Sequence, residues 1–326
     1  MKVLVTGATG FVGSHLSERL IQEGYDVRAL VRESSDVSLL KSLGIEIVYG
    51  DILDIDSVQK AVSGCEIVYH LAARTSRHSS SSNQDDYAIN VEGTKRVVNA
   101  ALKAGVERLV YGSSVGVYGF IKNPPADEQT SPNPNTYYRD SKLKGEVVAL
   151  SQYKNEGLPV VIARISSVYG PRSLNWLGLF QALARRRFRM LGSGENHRDM
   201  VYVSDVVEGI RLCGIKKGIE GETYINSGKE PKKLNQLVYM IAEELGVNIP
   251  SIRSPQFPFR AWYDLATFIY IHSGFELPRA HTYELFLEDR VLNITKAQKE
   301  LGYDPKVSMR EGIQQAVRWY RENGYI

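Results

Sequence analysis

Short apolar, β-branched runs alternate with longer amphipathic segments through the first half of the chain. Val3–Val5, Val27–Val31, Ile45–Tyr49, Ile67–His70, Leu109–Tyr111 and Val160–Ile165 have the length and composition of strands. Between them, Phe11–Glu23, Val91–Ala104 and Tyr137–Asn155 repeat apolar residues at intervals of three and four, the period of a helix with one buried face. Strand and helix taken in turn predict an α/β class protein built on a doubly wound parallel sheet. Beyond Gly170-Pro171 the alternation stops. The helical patterns Leu234–Leu245 and Arg310–Arg321 are mixed there with proline-containing stretches such as Ser254–Pro258, which predicts a smaller mixed α/β lobe. The expected division is residues 1–170 in the first domain, with a returning segment at about 200–218, and 171–326 mainly in the second. Ser79–Ser82, within Arg77–Gln84, is expected to form a mobile loop at a strand's carboxyl end.

Composition narrows the function class. Forty Lys+Arg against 37 Asp+Glu leave a net charge of +3, and 43% of residues are hydrophobic, a balance that excludes a disordered or disulfide-stapled chain. Cys65 and Cys213 lie far apart and outside any metal-ligand spacing, so no structural zinc and a cytoplasmic location are expected. Lys2–Thr6 reads as a strand from the outset, with no charged and apolar leader in front of it. No apolar run approaches the ~18 residues of a membrane span, and the charge is not gathered into a basic face of the kind that binds nucleic acid.

The first chemical signal is Thr6-Gly7-Ala8-Thr9-Gly10-Phe11-Val12-Gly13, which leaves the first strand and opens the first helix. In that position Gly7 permits a tight turn, Gly10 lets the backbone approach a pyrophosphate, and Gly13 lets the helix pack on the sheet. The helix N-terminus adds free N–H groups and a partial positive charge. This predicts a Rossmann-type dinucleotide site cradled by Gly7, Thr9, Gly10, Phe11, Val12 and Gly13. An acidic residue commonly ends the second strand to hold a ribose diol; here the strand ends at Arg32, whose planar fork suits a 2′-phosphate. The expected cofactor is NADP or NAD, with NADP favoured. Asp51-Ile52, just past the third strand, are placed to contact adenine.

The second signal is Tyr138 with Lys142, four residues apart and so neighbours on one helix face. A phenol with a pKa of ~10 is a weak base at neutral pH, and a nearby ammonium and an oxidised nicotinamide both favour its phenolate. Tyr137 is adjacent, but its fourth neighbour is Ser141 rather than a lysine. Ser113-Ser114 close an intervening strand.

Taken together, Thr6–Gly13, Gly50–Ile52, His70–Ala73, Asn90–Thr94, Ser113–Gly119, Tyr138–Lys142, Val168–Arg172 and Gly192–Val206 resemble, in order, the extended short-chain dehydrogenase/reductases, or NAD(P)-dependent epimerase/dehydratase family. The resemblance implies Ser114 as the hydrogen-bond donor to the reacting oxygen, Tyr138 as acid/base, and Lys142 as the residue that tunes it and binds the nicotinamide ribose. It places Leu71, Ala72 and Ala73 along the cofactor and Asn90 beside the active site, although Asn90 also reads as a helix N-cap. It also implies a homodimer paired through the helix after Asn90 and the helix carrying Tyr138.

The resemblance is less specific for substrate. Val115-Gly116 stand where dehydratases of this family carry an acidic pair, which argues against sugar dehydration. An epimerase or 4-keto-sugar reductase needs only Ser114, Tyr138, Lys142 and the cofactor. Gly192–Asp199 resembles the segment whose arginine clamps a substrate diphosphate, which makes Arg198 a candidate for a nucleoside diphosphate sugar; Ser167, a second substrate-contact candidate, stands before Val168-Tyr169-Gly170 where nucleotide-sugar members commonly carry Asn, a departure that counts against the sugar. Also against it, the aromatic stretch from Phe257 to Phe275, together with Arg28 and Arg32, looks like the 3β-hydroxysteroid dehydrogenase or dihydroflavonol reductase branch, which acts on a hydrophobic alcohol or ketone. A non-catalytic dinucleotide-binding protein is a third reading.

Overall fold

The computed structural model describes residues 1–74, 87–249, 253–277 and 280–326; the serine run Ser79–Ser82 lies outside the described residues. The chain begins with β1 (Lys2–Thr6), α1 (Phe11–Gln22), β2 (Asp26–Val31), β3 (Glu46–Tyr49), α2 (Ile55–Val62) and β4 (Ile67–His70). It continues with α3 (Thr94–Ala104), β5 (Arg108–Ser114), α4 (Tyr137–Glu156) and β6 (Val160–Ile165), then α5 (Val203–Ile215) and β7 (Thr223–Asn226). The remainder of the chain adds α6 (Leu234–Leu245), α7 (Phe257–Ser273) and α8 (Met309–Glu322).

The seven strands form one parallel sheet in the order β7-β6-β5-β4-β1-β2-β3. The order reverses between β1 and β4, and in such sheets ligands bind in the crevice outside the carboxyl ends of the strands at that point. Both sheet faces are buried, which is why the strands read as continuous apolar runs. Val3 and Val5 of β1 join Leu16 and Leu20 of α1 in one core, while Leu4 between them joins Val58 and Val98 in the other. Helix ends follow local chemistry. Asp54 caps α2 by accepting from the N–H groups of Asp56 and Ser57, and Thr136 caps α4 by accepting from that of Arg139. Gly105 and Gly157 end α3 and α4 with φ of 66° and 75°.

Two elements differ from the hydrophobic pattern. The helix expected from Val91 is a wide turn over Ala88–Gly93 that runs into α3. The returning segment includes α5, which packs against α1, and goes on to β7, which supplies the seventh strand beside β6. No helix among the described residues is long and apolar enough to cross a membrane.

Candidate active site

The glycine loop is built by close approach. Gly7 has φ +76°, and a Cβ there would lie 2.7 Å from the backbone nitrogen of Ala72, so the loop rests directly on the segment after β4. A Cβ at Gly13 would fall 2.1 Å from the Gly7 carbonyl oxygen, so α1 can start this close to the loop only with glycine. Gly10 is different: its N–H donates to the Gly7 carbonyl at 2.9 Å, and a Cβ there would meet that oxygen alone, at 3.1 Å. Gly10 is also the N-cap of α1, with no side-chain cap and no acid in the first turn, which leaves the amino end of the helix to an external anion. The residues fit a dinucleotide pyrophosphate on this ground: a cradle that a Cβ would fill, at a bare helix N-terminus.

A chain of buried hydrogen bonds runs from this loop to the Tyr138 helix. The Thr94 hydroxyl donates to the Asn90 carbonyl at 2.6 Å, so it accepts from His70 Nε2 at 3.0 Å. His70 Nδ1 therefore accepts from the Thr6 hydroxyl at 2.7 Å. His70 is fully buried and its pKa is lowered to about 3 by desolvation and by Lys142, so the ring is neutral and this tautomer is fixed by its partners. Asn90 continues the chain. Its amide donates to the Arg74 carbonyl and to Ser141 Oγ and accepts from the Arg74 N–H, and Ser141 in turn donates to the Tyr138 carbonyl at 2.8 Å. Asn90 is thus no N-cap; its side chain ties the segment after β4 to the first turn of α4.

That turn carries the candidate acid/base. Tyr138 is half-buried, while Lys142, one turn on, is buried with its ammonium 4.4 Å above the Tyr111 ring centroid. Desolvation lowers the Lys142 pKa to about 7, with Glu146 pulling the other way. Ser114 is half-buried at the end of β5, where its Oγ accepts from the Gly116 N–H at 3.0 Å. Ser113 has a structural role: its hydroxyl donates to buried Glu146, which Arg164 of β6 grips through two nitrogens at 3.0 and 2.7 Å. This ion pair holds α4 against the sheet beneath the Tyr138 turn.

The third part of the site joins segments far apart in the chain. Arg198 and Arg290 are bridge partners, both buried and both held below the usual arginine pKa by desolvation, with each other's charge or that of Arg139 adding to it. The carboxylate of Glu284 lies among these guanidiniums, with Arg139 on one oxygen and Arg290 on the other, each at 2.5 Å. The three arginines hold it well below the usual carboxylate range despite its burial. Arg198 faces the Glu284 and Glu288 carbonyls at 3.5 and 3.4 Å. Arg139 reaches from this cluster to Ser114: a Cβ on Gly116 would lie 3.1 Å from the Arg139 stem and 3.2 Å from Ser114 Oγ.

The candidate residues therefore fall in three groups. The glycine loop rests through Gly7 on Leu71 and Ala72, and Ala73 follows them, exposed. Arg32 is exposed just past β2, and Asp51 and Ile52 follow β3, with Asp51 accepting from the Leu53 N–H and Ile52 packed under Gly93. Ser167 starts a short strand, Ser167–Tyr169, beyond β6. Arg28 is used elsewhere. It donates to the carbonyls of Ala61 and Ser63 at the end of α2 and ion-pairs with Glu46. Sequence reasoning missed Arg139, Glu284 and Arg290. The signals available were an arginine directly after the candidate tyrosine and an acid six residues before an arginine, neither with any chemistry until the fold brings them together.

Residues 3–225 match the profile of the NAD dependent epimerase/dehydratase family. The chain is 31% identical to sterol demethylase protein B of Methylococcus capsulatus, over 100% of both chains. It is also 31% identical to the dTDP-D-glucose 4,6-dehydratase of Mus musculus, over 99% of this chain and 89% of that one. Among solved structures, a UDP-glucose 4-epimerase from Thermotoga maritima with UDP-glucose superposes with a TM-score of 0.81 at 26% identity, over 99% of each chain.

Proposed function

Because the chain belongs to the NAD dependent epimerase/dehydratase family, we propose that it is an NAD(P)-dependent oxidoreductase that interconverts a secondary alcohol and a ketone on a hydrophobic substrate. A bound nicotinamide dinucleotide supplies the hydride acceptor or donor. In the oxidative direction Tyr138 takes the hydroxyl proton as the carbinol C–H is lost, and Ser114 hydrogen-bonds the oxygen as it becomes a carbonyl. Lys142 is buried one turn on from Tyr138, and its protonated form favours the phenolate. The chain from Thr6 to Ser141 fixes the turn that presents Tyr138 relative to the loop that would hold the dinucleotide.

The observation that carries the substrate class is the carboxylate of Glu284 among Arg139, Arg198 and Arg290. The resemblance offers Arg198 as a clamp for a diphosphate, but an internal anion already stands beside it, and a diphosphate entering there would meet that negative charge at low dielectric. Helix α7 adds an aromatic wall: Tyr263 and Tyr270 pack over Asn135 and Tyr137, next to Tyr138. The relative named a sterol demethylase protein belongs with this reading. One observation favours the nucleoside diphosphate sugar instead: three guanidiniums face one ionised carboxylate, which leaves an excess of positive charge. Arg198 and Ser167 are then its substrate contacts.

Two measurements decide. Hydrophobic secondary alcohols should reduce NAD(P), and Tyr138→Phe should lower that rate by ~10² to 10⁴ with dinucleotide affinity unchanged. Calorimetry with UDP, dTDP and GDP should show no binding at millimolar concentration. Binding of any of them that Arg198→Ala weakens tenfold or more, on the order of one charged hydrogen bond, would transfer the assignment to the nucleotide sugar.

A further inference from the structure

Helix α7 is apolar on both sides. Tyr263 and Ala266 are buried against the protein, but Phe257 is 80% exposed, Leu265 49%, Phe268 58% and Ile271 55%, and Phe275 just past the helix is 60% exposed. At about 100° per residue the four on the helix fall on one outward face, a stripe roughly 25 Å long over the 17 residues of the helix. Asp264, ion-paired with Arg260, and His272, whose ring lies 4.0 Å from that of Phe268, fall on the same face. Soluble chains rarely present so continuous an apolar stripe without a partner for it.

The charge beside the stripe identifies the partner. The two residues Arg253–Ser254, close before α7, pair with Met190–Leu191, and Gln256 donates to the Phe286 carbonyl next to Phe188. This brings the basic run Arg185, Arg186, Arg187 and Arg189 to the amino end of α7 together with Arg253. All five guanidiniums are exposed, and none is in an ion pair among the described residues. An apolar, aromatic helix face lying flat with arginines at its edge is the arrangement that enters the boundary between headgroups and acyl chains. Trp262, 40% exposed, sits at the flank of the stripe, where indoles prefer a membrane interface.

We propose that the outer face of α7 and the Arg185–Arg189 and Arg253 cluster dock this protein on an anionic lipid bilayer surface, without crossing it. The inference deepens the hydrophobic-substrate reading by supplying the substrate's source. The inner face of α7 packs on Tyr137 and Asn135, so the helix that meets lipid on one side borders the Tyr138 turn on the other. A substrate that partitions into the bilayer would then have a short path to the site.

The test is co-sedimentation of the full chain with vesicles of phosphatidylcholine alone and of phosphatidylcholine with phosphatidylglycerol. Neither cofactor nor substrate is present, so docking and turnover can fail separately. The wild type should bind the anionic vesicles and bind the neutral ones more weakly. Phe268→Asp with Ile271→Asp should lower partitioning by about tenfold or more, and each of Arg185→Ala, Arg187→Ala and Arg189→Ala by about fivefold. Dinucleotide binding by the variants reports their folding. If the double variant does not fold, Phe268→Cys labelled with an environment-sensitive fluorophore replaces it, Cys65 and Cys213 being buried. Its emission should shift to the blue on adding anionic vesicles. Three results would overturn the proposal: no binding by the wild type, binding that the α7 changes leave intact or a label that does not shift, or a dimer that Phe268→Asp with Ile271→Asp dissolves, which would show that a second copy covers this face.

Discussion

Lys142 shows how a single buried side chain couples stability to chemistry. Its folded-state pKa is about 7 against an ordinary 10.5, so between those values the unfolded chain carries a proton that the folded chain does not, and stability gained from this residue rises with pH across that window. The cost of burying the ammonium is full below pH 7 and relieved towards pH 10. Lys142→Met should therefore melt a few degrees higher than the parent at pH 6, with the gap closing by pH 10, while hydride transfer is lost. Thermal unfolding at pH 6, 8 and 10 checks this, and a gap that does not change with pH would assign the cost elsewhere. Arg32 is the opposite kind of residue, exposed at the end of β2. If its guanidinium meets a 2′-phosphate, Arg32→Asp should move preference from NADP to NAD, since a carboxylate repels the phosphate and accepts from ribose hydroxyls. Titration of both cofactors against both proteins settles it, and a parent that already prefers NAD would remove Arg32 from the site.

At the scale of elements, the glycine loop yields an ordered prediction. Gly13→Ala would drive a methyl into the Gly7 carbonyl at 2.1 Å, whereas Gly10→Ala meets the same oxygen at 3.1 Å. The first should lower both the melting temperature and dinucleotide affinity, and the second should fold normally and lose affinity alone. Equal effects on stability would mean that the loop does not approach a ligand at Gly10. This loop was legible because every constraint on it is local, a strand, three glycines and a helix start within eight residues. β1, β4, β5 and β6 were legible for a related reason: each is buried on both faces and so carries a continuous apolar run. β7 was not, because four residues flanked by polar ones carry no period. α7 was obscured by being apolar on its inner and outer faces alike, which flattens the 3.6-residue signal. The arginine cluster was out of reach altogether. Arg139 and Glu284 are 145 positions apart, and only the packing of the segment carrying Glu284 on α4 makes them partners. The role of Asn90 turned on packing too, since its amide could have capped a helix until the fold placed Arg74 and Ser141 within reach.

For the whole molecule, the question is how much apolar surface the folded chain leaves for a second copy. On the two helices through which the resemblance implies pairing, the apolar positions are Val91, Val98, Ala101 and Leu102, and Leu143, Val147, Val148 and Leu150. Val91, Val98 and Ala101 are already buried in the chain's own core, so the surface left is narrower and belongs mostly to α4: Val147 is 62% exposed, and Leu143, Val148, Leu150 and Leu102 are half-buried. A two-fold arrangement would set this patch against itself, since an isologous interface uses the same residues twice, and one exposed valine per copy at its centre makes Val147 the most sensitive position. We expect a homodimer in which Val147→Glu places two like charges in one apolar seam and shifts sedimentation velocity at micromolar concentration from dimer to monomer. Phe268→Asp, on the outer face of α7, should leave the dimer intact, because the two surfaces lie on different helices and serve different partners. A parent protein that sediments only as monomer would remove the dimer while leaving the lipid-docking face and the Tyr138 site to stand or fall by their own tests.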